Sequence, residues 1–239
     1  MEVRQYAENA LTIYMGDDID EKVNRRLVEL KKKIESLDIA GIGEIVISYT
    51  SLIIYFDIFE TDAETIEGEI GGLDTDALLE GEFEYRVVEI PVCYGGKYGP
   101  DIENFEENGL SAAEVIDMHS GKEYLVYMLG FMPGFPYLGG LDEKLHKARL
   151  GTPRVRIPAG SVGIGGKQTG MYPFESPGGW NLLGRTPVPL FDPGRAEPIL
   201  YQAGDRVVYR AVDEKEYDDI KDAVEAGRYE VKIESGSDG

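Results

Sequence analysis

Two imidazoles, one lysine in a glycine run and a few arginines are the residues of this sequence best suited to chemistry. His119 and His146 are its only histidines. His119 closes the run LSAAEVIDMHS. There it can serve as a neutral general base or proton shuttle, or simply as the C-terminal cap of a helix. Lys167 stands in SVGIGGKQ, which has the outline of a phosphate loop. That motif needs Gly five residues before its Gly-Lys pair and Ser or Thr after the Lys. Here those positions hold Ser161 and Gln168, and the flanking pattern is β on both sides, so a phosphate loop is rejected. A weaker expectation remains, that successive backbone N–H groups of Gly163, Gly165, Gly166 and Lys167 cradle an anion. No HExxH and no GxSxG elbow occurs, and no metal site is expected. Cys93 is the single cysteine, so neither an intrachain disulfide nor a thiolate cluster can form.

His146, Lys167 and the arginines sit in one stretch, Leu129 to Arg195, with 14 of the chain's 30 glycines and 9 of its 12 prolines. Pro fixes φ and removes a donor while Gly opens unusual φ values, so long helices are excluded and sharp reversals expected. The interleaved Phe131, Phe135, Tyr137, Ile157, Val162, Ile164, Trp180, Leu182 and Leu183 argue against a disordered linker and for turn-rich β structure. The stretch carries eight Lys and Arg against four Asp and Glu, within a chain of net charge −21. Such a basic island favours a small anion, although Arg149, Arg154 and Arg156 can equally pair with acidic neighbours. Pro133, Phe135, Pro136, Tyr137 and Pro177 offer aromatic and proline surface of the kind found at interfaces. Trp180, beside Gly179, is either a core aromatic or a contact for a partner or ligand.

The elements around this stretch follow from periodicity. EVRQYA and ALTIYM read as strands, and Asp18 with Glu21 has capping-box spacing before an amphipathic helix over about 19–37. EIVISY and SLIIYFD are strands, and Thr61 with Glu64 opens a second helix that Gly71 and Gly72 stop. This ββαββα order predicts a small two-layer domain over residues 1–84. FEYRVVEIPVCYG leads into a second domain, 85–212, with short helices near 101–108 and, opened by Ser111 and Glu114, over 112–118. YLVYMLGF and AGDRVVYRAV are strands on either side of the glycine-rich stretch. The acidic extension 213–239 reads as a solvated helix, EYDDIKDAVEAG, and a strand, YEVKIE.

A charge of −21 and a pI near 4.4 argue against nucleic acid or an anionic membrane as partner, since both need clustered Lys and Arg. No apolar run approaches the ~18 residues of a membrane span, and the N-terminus lacks a signal pattern, which makes the cytoplasm the expected location.

The blocks GFMPGFPYLGG, TPRVRIPAGSVGIGGKQTGMYP and SPGGWNLLGRTP carry a resemblance, extended by EIPVCYGG, GPDIE, LSAAEVIDMHS and LFDP. They resemble the family that holds the B-type subunit of 5-oxoprolinase (also described as allophanate hydrolase subunit 1), the KipI-type sporulation-kinase inhibitors, and one half of the carboxyltransferase region of urea amidolyase. The resemblance spans roughly residues 2–210. It implies a small α/β domain followed by a cyclophilin-like β-barrel, an α+β architecture in all. It also implies two partners, the homologous C-type barrel protein of 5-oxoprolinase and its A-type component, in an ATP-dependent enzyme that opens 5-oxoproline to L-glutamate.

Phosphoryl transfer to a lactam oxygen needs positioning and positive charge more than a nucleophile. On that resemblance His119, Lys167 and Arg185 are the expected catalytic residues. Arg154, Arg156, Ser161, Gly163, Gly165, Gly166, Gln168, Thr169 and Tyr172 are expected to bind substrate or nucleotide. ATP with Mg is expected at the assembled complex and none firmly on this chain alone. The other activities the resemblance carries are binding of a histidine kinase without turnover, and one half of a biotin-dependent carboxyltransferase.

Overall fold

The computed structural model describes residues 1–16, 19–80 and 82–238. By its internal contacts the chain divides into two units, Met1–Glu84 and Tyr85–Gly236, with the last residues from Ser237 grouped with the first.

In the first unit the strands β1 (Glu2–Ala7), β2 (Ala10–Tyr14), β3 (Ile42–Ile47) and β4 (Ser51–Phe56) form an antiparallel sheet in the order β1-β2-β4-β3. The helices α1 (Glu21–Ser36) and α2 (Ala63–Ile70) follow β2 and β4. Alternation decides the faces. Leu11 pairs with Ile54 and Ile13 with Leu52, and all four side chains are buried. On α1, Leu27, Leu30 and Ile34 recur at helical spacing and are buried too.

The expected cap Asp18 lies outside the described residues, and Asp20 caps α1 by accepting the N–H groups of Lys22 and Val23. The cap expected at Thr61 falls instead on Asp62, whose carboxylate accepts Thr65 N–H at 2.8 Å. A carboxylate at a helix N-terminus gains from both the N–H and the dipole.

The second unit contains the strands β5 (Phe83–Tyr94), β6 (Glu123–Leu129), β7 (Pro136–Gly139), β8 (Arg154–Ile157), β9 (Ser161–Gly165), β10 (Gln168–Met171), β11 (Ser176–Gly178), β12 (Asn181–Arg185), β13 (Arg206–Val212) and β14 (Ile233–Asp238). Among the described residues seven of them close on themselves in the order β12-β9-β10-β7-β6-β13-β5, with β5 returning to β12. The β5–β13 pair is parallel and its neighbours are antiparallel, so the barrel is mixed. Closure joins Gly184 to Tyr94 and Arg185 to Cys93. It depends on Gly184, since a Cβ there would come within 2.6 Å of Cys93 O. Val88, Ile90, Val126, Leu138, Val162, Ile164, Leu183 and Val207 belong to the buried core of this unit.

A two-stranded ribbon, β8 with β11, stands outside the closed ring. The helix α3 (Ala112–Ser120) starts with the capping box read from Ser111 and Glu114, and Ile102–Asn108 forms a 3-10 turn. The last segment is no loose appendage. α4 (Glu214–Glu225) buries Tyr217 and Ile220 in the barrel unit's core, and β14 lies beside β5 at the edge of the sheet.

Candidate functional site

The glycine-rich stretch builds one open aromatic pocket. Phe131, Phe135, Tyr137, Tyr172 and Trp180 line it, with Arg149 and the backbone of residues 177–179, around about 150 Å³. Phe135, only 1% exposed, is the hub. Its ring meets Tyr137, Tyr172 and Trp180 near edge-on, at centroid distances of 5.4, 5.6 and 5.7 Å, a favoured geometry for aromatic quadrupoles. Phe131 leans on it at 4.8 Å while remaining 68% exposed, so it forms the rim. The 130–135 turn is pinned by Gly130 N–H to Phe135 O (2.7 Å) and by the Tyr201 hydroxyl, which donates to Gly134 O (2.6 Å). Trp180 sits over β9, in space that a Cβ on Gly165 would fill.

Arg149 occupies this pocket's wall under unusual constraint. Leu150 N–H donates to Gly179 O at 2.7 Å, and Asn181 Nδ2 donates to Ala148 O at 2.9 Å. The backbone is therefore fastened on both sides of Arg149, while its side chain is exposed and has no ion-pair partner among the described residues. Burial pushes the Tyr172 phenol above its ordinary value, and the charge of Arg149 opposes that shift.

The neighbouring arginines are committed. Arg154 Nη2 donates to Asp101 at 2.6 Å, and Asp101 also accepts Leu182 N–H at 2.7 Å. Arg156 grips Glu175 through Nε and Nη2, at 2.8 and 2.6 Å. For these two the pairing with acidic neighbours is what the fold adopts.

His119 lies elsewhere. It is fully buried, stacked on Tyr209 at 4.5 Å. Thr169 Oγ1 donates to Gly163 O (3.2 Å) and so accepts from His119 Nε2 (2.7 Å), which leaves Nδ1 to accept the Tyr94 hydroxyl (2.8 Å). Burial pushes its pKa from 6.5 down to about 3. The imidazole is a neutral tie between α3, β5 and β10. Neither a solvent-facing base nor a plain helix cap describes it, and Thr169 belongs to the same buried tie.

Gly163, Gly165 and Gly166 of the expected anion cradle are engaged in the fold's own pairing. Gly163 and Gly165 are buried inside β9 between β10 and β12. Gly166 N–H donates to Lys147 O at 2.7 Å, so this donor is used within the chain. Gly166, at φ 69°, and Lys167 form the tight turn of the β9–β10 hairpin, with Gln168 opening β10 opposite Gly165.

Ser161 and Arg185 face each other across β9 and β12, at the far end of β9 from Gly165, roughly 13 Å along a strand of this length. Among the described residues Ser161 Oγ and Arg185 Nε, both buried, have no hydrogen-bond partner, and the guanidinium lies 5.8 Å from the Tyr98 ring. Lys167 and Arg185 thus stand at opposite ends of the hairpin. Of the expected interface residues, Pro133 and Pro177 are exposed and Tyr137 half-buried. Phe135, Pro136 and Trp180 are withdrawn into the chain's own packing. The pocket residues that sequence reasoning missed are Arg149 and Phe131, which were legible only as one more charge and one more aromatic of the stretch.

A larger cleft of about 610 Å³, lined by Val188, Leu200, Val224, Tyr229 and Arg195, contains none of the expected site residues. Among the described residues no three His, Cys, Asp or Glu side chains are grouped to hold a metal, and no helix is long and apolar enough to cross a membrane.

A closed mixed barrel, preceded in sequence by a small α+β unit and bearing an open aromatic pocket with a cation on its wall, is the fold that comparison with known proteins places. The model of the carboxyltransferase domain, subdomain C and D, matches residues 1–201, and the chain belongs to that family. The B-type subunit of 5-oxoprolinase from Bacillus subtilis (strain 168) is 40% identical over 232 residues, taking in 92% of this chain and 97% of that protein. Its counterpart of the same name in Escherichia coli O157:H7 is 56% identical over 136 residues, 56% of this chain and 62% of that one. The crystal structure of TTHA0988 is 36% identical and superposes with a TM-score of 0.75, over 89% of this chain and 41% of that one. The chain therefore spans nearly all of the Bacillus protein and less than half of TTHA0988.

Proposed function

We propose that this chain is one subunit of an ATP-dependent 5-oxoprolinase, whose cyclophilin-like barrel supplies one wall of a cavity completed by the homologous C-type barrel protein and the A-type component of that enzyme. The observation that carries this reading is the nearly full-length match to the Bacillus B-type protein. In the reaction, the γ-phosphoryl group of ATP passes to the lactam oxygen of 5-oxo-L-proline and ADP leaves. Water attacks the activated ring carbon and the C–N bond breaks, with the nitrogen taking up a proton as the amine. A second water releases phosphate from the resulting acyl phosphate, leaving L-glutamate.

The arrangement of residues supports a non-autonomous role. The pocket is open, and its one available cation has no nucleophile–base pair beside it among the lining residues. At about 150 Å³ it is well below the roughly 300–1,000 Å³ of sites for drug-sized ligands, so a nucleoside triphosphate does not fit. We therefore assign ATP with its Mg to the assembled complex. With Arg154 and Arg156 already paired, Lys167 and Arg185 are the cations we assign to the phosphates. Standing at opposite ends of β9, they would serve different groups.

The test is co-expression with the candidate partner proteins, followed by an assay of 5-oxoproline-dependent ADP release with each one omitted in turn. Release that needs both 5-oxoproline and this chain supports the proposal. Undiminished release without this chain overturns it.

A further inference from the structure

We propose that Arg149 is the carboxylate-binding residue of the substrate site, holding a small planar ring acid in the aromatic pocket bounded by Phe131, Tyr137 and Trp180. The inference rests on the 5-oxoprolinase reading for the identity of that acid. It goes further in assigning the site to this chain and naming the residue that selects for the carboxylate.

Three observations converge on it. First, commitment separates Arg149 from its neighbours: Arg154 is bound to Asp101 and Arg156 to Glu175, whereas no carboxylate of the described residues pairs with Arg149. Second, its backbone is clamped to the pocket wall on both sides, by Leu150 N–H to Gly179 O and Asn181 Nδ2 to Ala148 O. A guanidinium carried on a fixed backbone loses less freedom on binding, and its fork matches a carboxylate with two parallel hydrogen bonds. Third, the pocket's size and walls select the rest of the ligand. About 150 Å³ holds roughly the volume of five waters, and its aromatic lining suits the faces of a flat ring. A lactam ring bearing one carboxylate satisfies all three, whereas a lactam without the carboxylate satisfies only the last.

The chain carries its own reporter, because Trp180 is its single tryptophan and lines the pocket. The full chain is titrated with L-5-oxoproline and with 2-pyrrolidinone while Trp180 emission is followed, for the wild type, Arg149→Gln and Arg149→Lys. In parallel, the assembled enzyme gives kcat and KM for 5-oxoproline. Loss of a charge-assisted hydrogen bond predicts an affinity for 5-oxoproline weakened about tenfold or more in Arg149→Gln, with partial recovery in Arg149→Lys and an unchanged response to 2-pyrrolidinone. KM should rise by a similar factor. Arg149 is exposed, so the ligand-free emission of both variants should match the wild type and certify folding.

A wild-type assembly that turns over 5-oxoproline while Arg149→Gln leaves KM unchanged overturns the inference and spares the function. So does equal weakening of both ligands, which makes Arg149 a general support of the wall. A correctly assembled wild type with no 5-oxoproline-dependent ADP release overturns the function, and with it the substrate named here.

Discussion

Trp180 and Gly165 are complementary: the indole fills the space that a side chain on Gly165 would need, over the end of β9. Gly170 on the adjacent strand receives the same ring, at 3.1 Å from the position of an added Cβ. The indole thus packs on two bare backbone positions on neighbouring strands, standing where β9 and β10 leave room for it.

Gly165→Ala should therefore force the indole outward. Overpacking of this kind costs about 1–3 kcal/mol. The measurable result is a lower urea midpoint together with a red-shifted Trp180 emission. An unshifted spectrum and midpoint would show that the strand can yield and that the glycine is not needed for the indole.

His119 makes stability depend on pH in a definite direction. Its folded pKa is pushed down to about 3, from 6.5 in the unfolded chain. Between those values the unfolded chain binds a proton here that the folded chain refuses. Stability from this residue is therefore fully present above about pH 6.5 and is lost as pH falls toward 3, with a slope of at most about 1.4 kcal/mol per pH unit. Urea midpoints from pH 7.5 to 4.5 should fall more steeply for the wild type than for His119→Gln. Parallel curves would mean that the imidazole takes up a proton in place.

Asp101 and Arg154 should behave as a coupled pair. Asp101 is buried and holds both the guanidinium and Leu182 N–H, so removing Arg154 strands a carboxylate that retains one donor. Arg154 is partly exposed, and solvent screening keeps the coupling modest, at about 1 kcal/mol. A double-mutant cycle with Asp101→Asn and Arg154→Gln measures it. Simple additivity of the two losses would remove the pair from the account of how β12 is held against residue 101.

What could be read in advance follows the range of the interaction. The capping box of Ser111 and Glu114 is local and is found as expected, and the Gly and Pro density of 129–195 does become short strands and turns. At Thr61 two adjacent residues compete for one helix start, and the carboxylate of Asp62 prevails. The failures are non-local. The Gly166 donor expected to cradle an anion is taken by Lys147, 19 residues before it in sequence. His119 is enclosed by Tyr94, Thr169 and Tyr209, which no spacing rule joins to it. Arg149 could be counted as a charge. What marks it is the absence of the acid that each neighbouring arginine has, and that requires the fold.

The C-terminal segment gives the sharpest contrast between composition and structure. Residues 213–239 hold ten acids and four bases, a composition that reads as a solvated tail. Yet Asp213 caps α4, and Tyr217 and Ile220 are buried in the barrel unit, the Tyr217 ring lying 4.5 Å from that of Tyr98. The charges face outward, as in the exposed pair of Lys221 with Glu225. Burial of the two side chains, and not charge, should then govern the segment's contribution. Tyr217→Ala is expected to cost about 2–4 kcal/mol as a large-to-small change in packing, while Glu225→Gln should stay within about 0.5 kcal/mol. Truncation after Val212 should uncover the core beneath α4 and abolish cooperative unfolding. A truncated chain that melts like the full one would return the segment to the solvent that its composition describes.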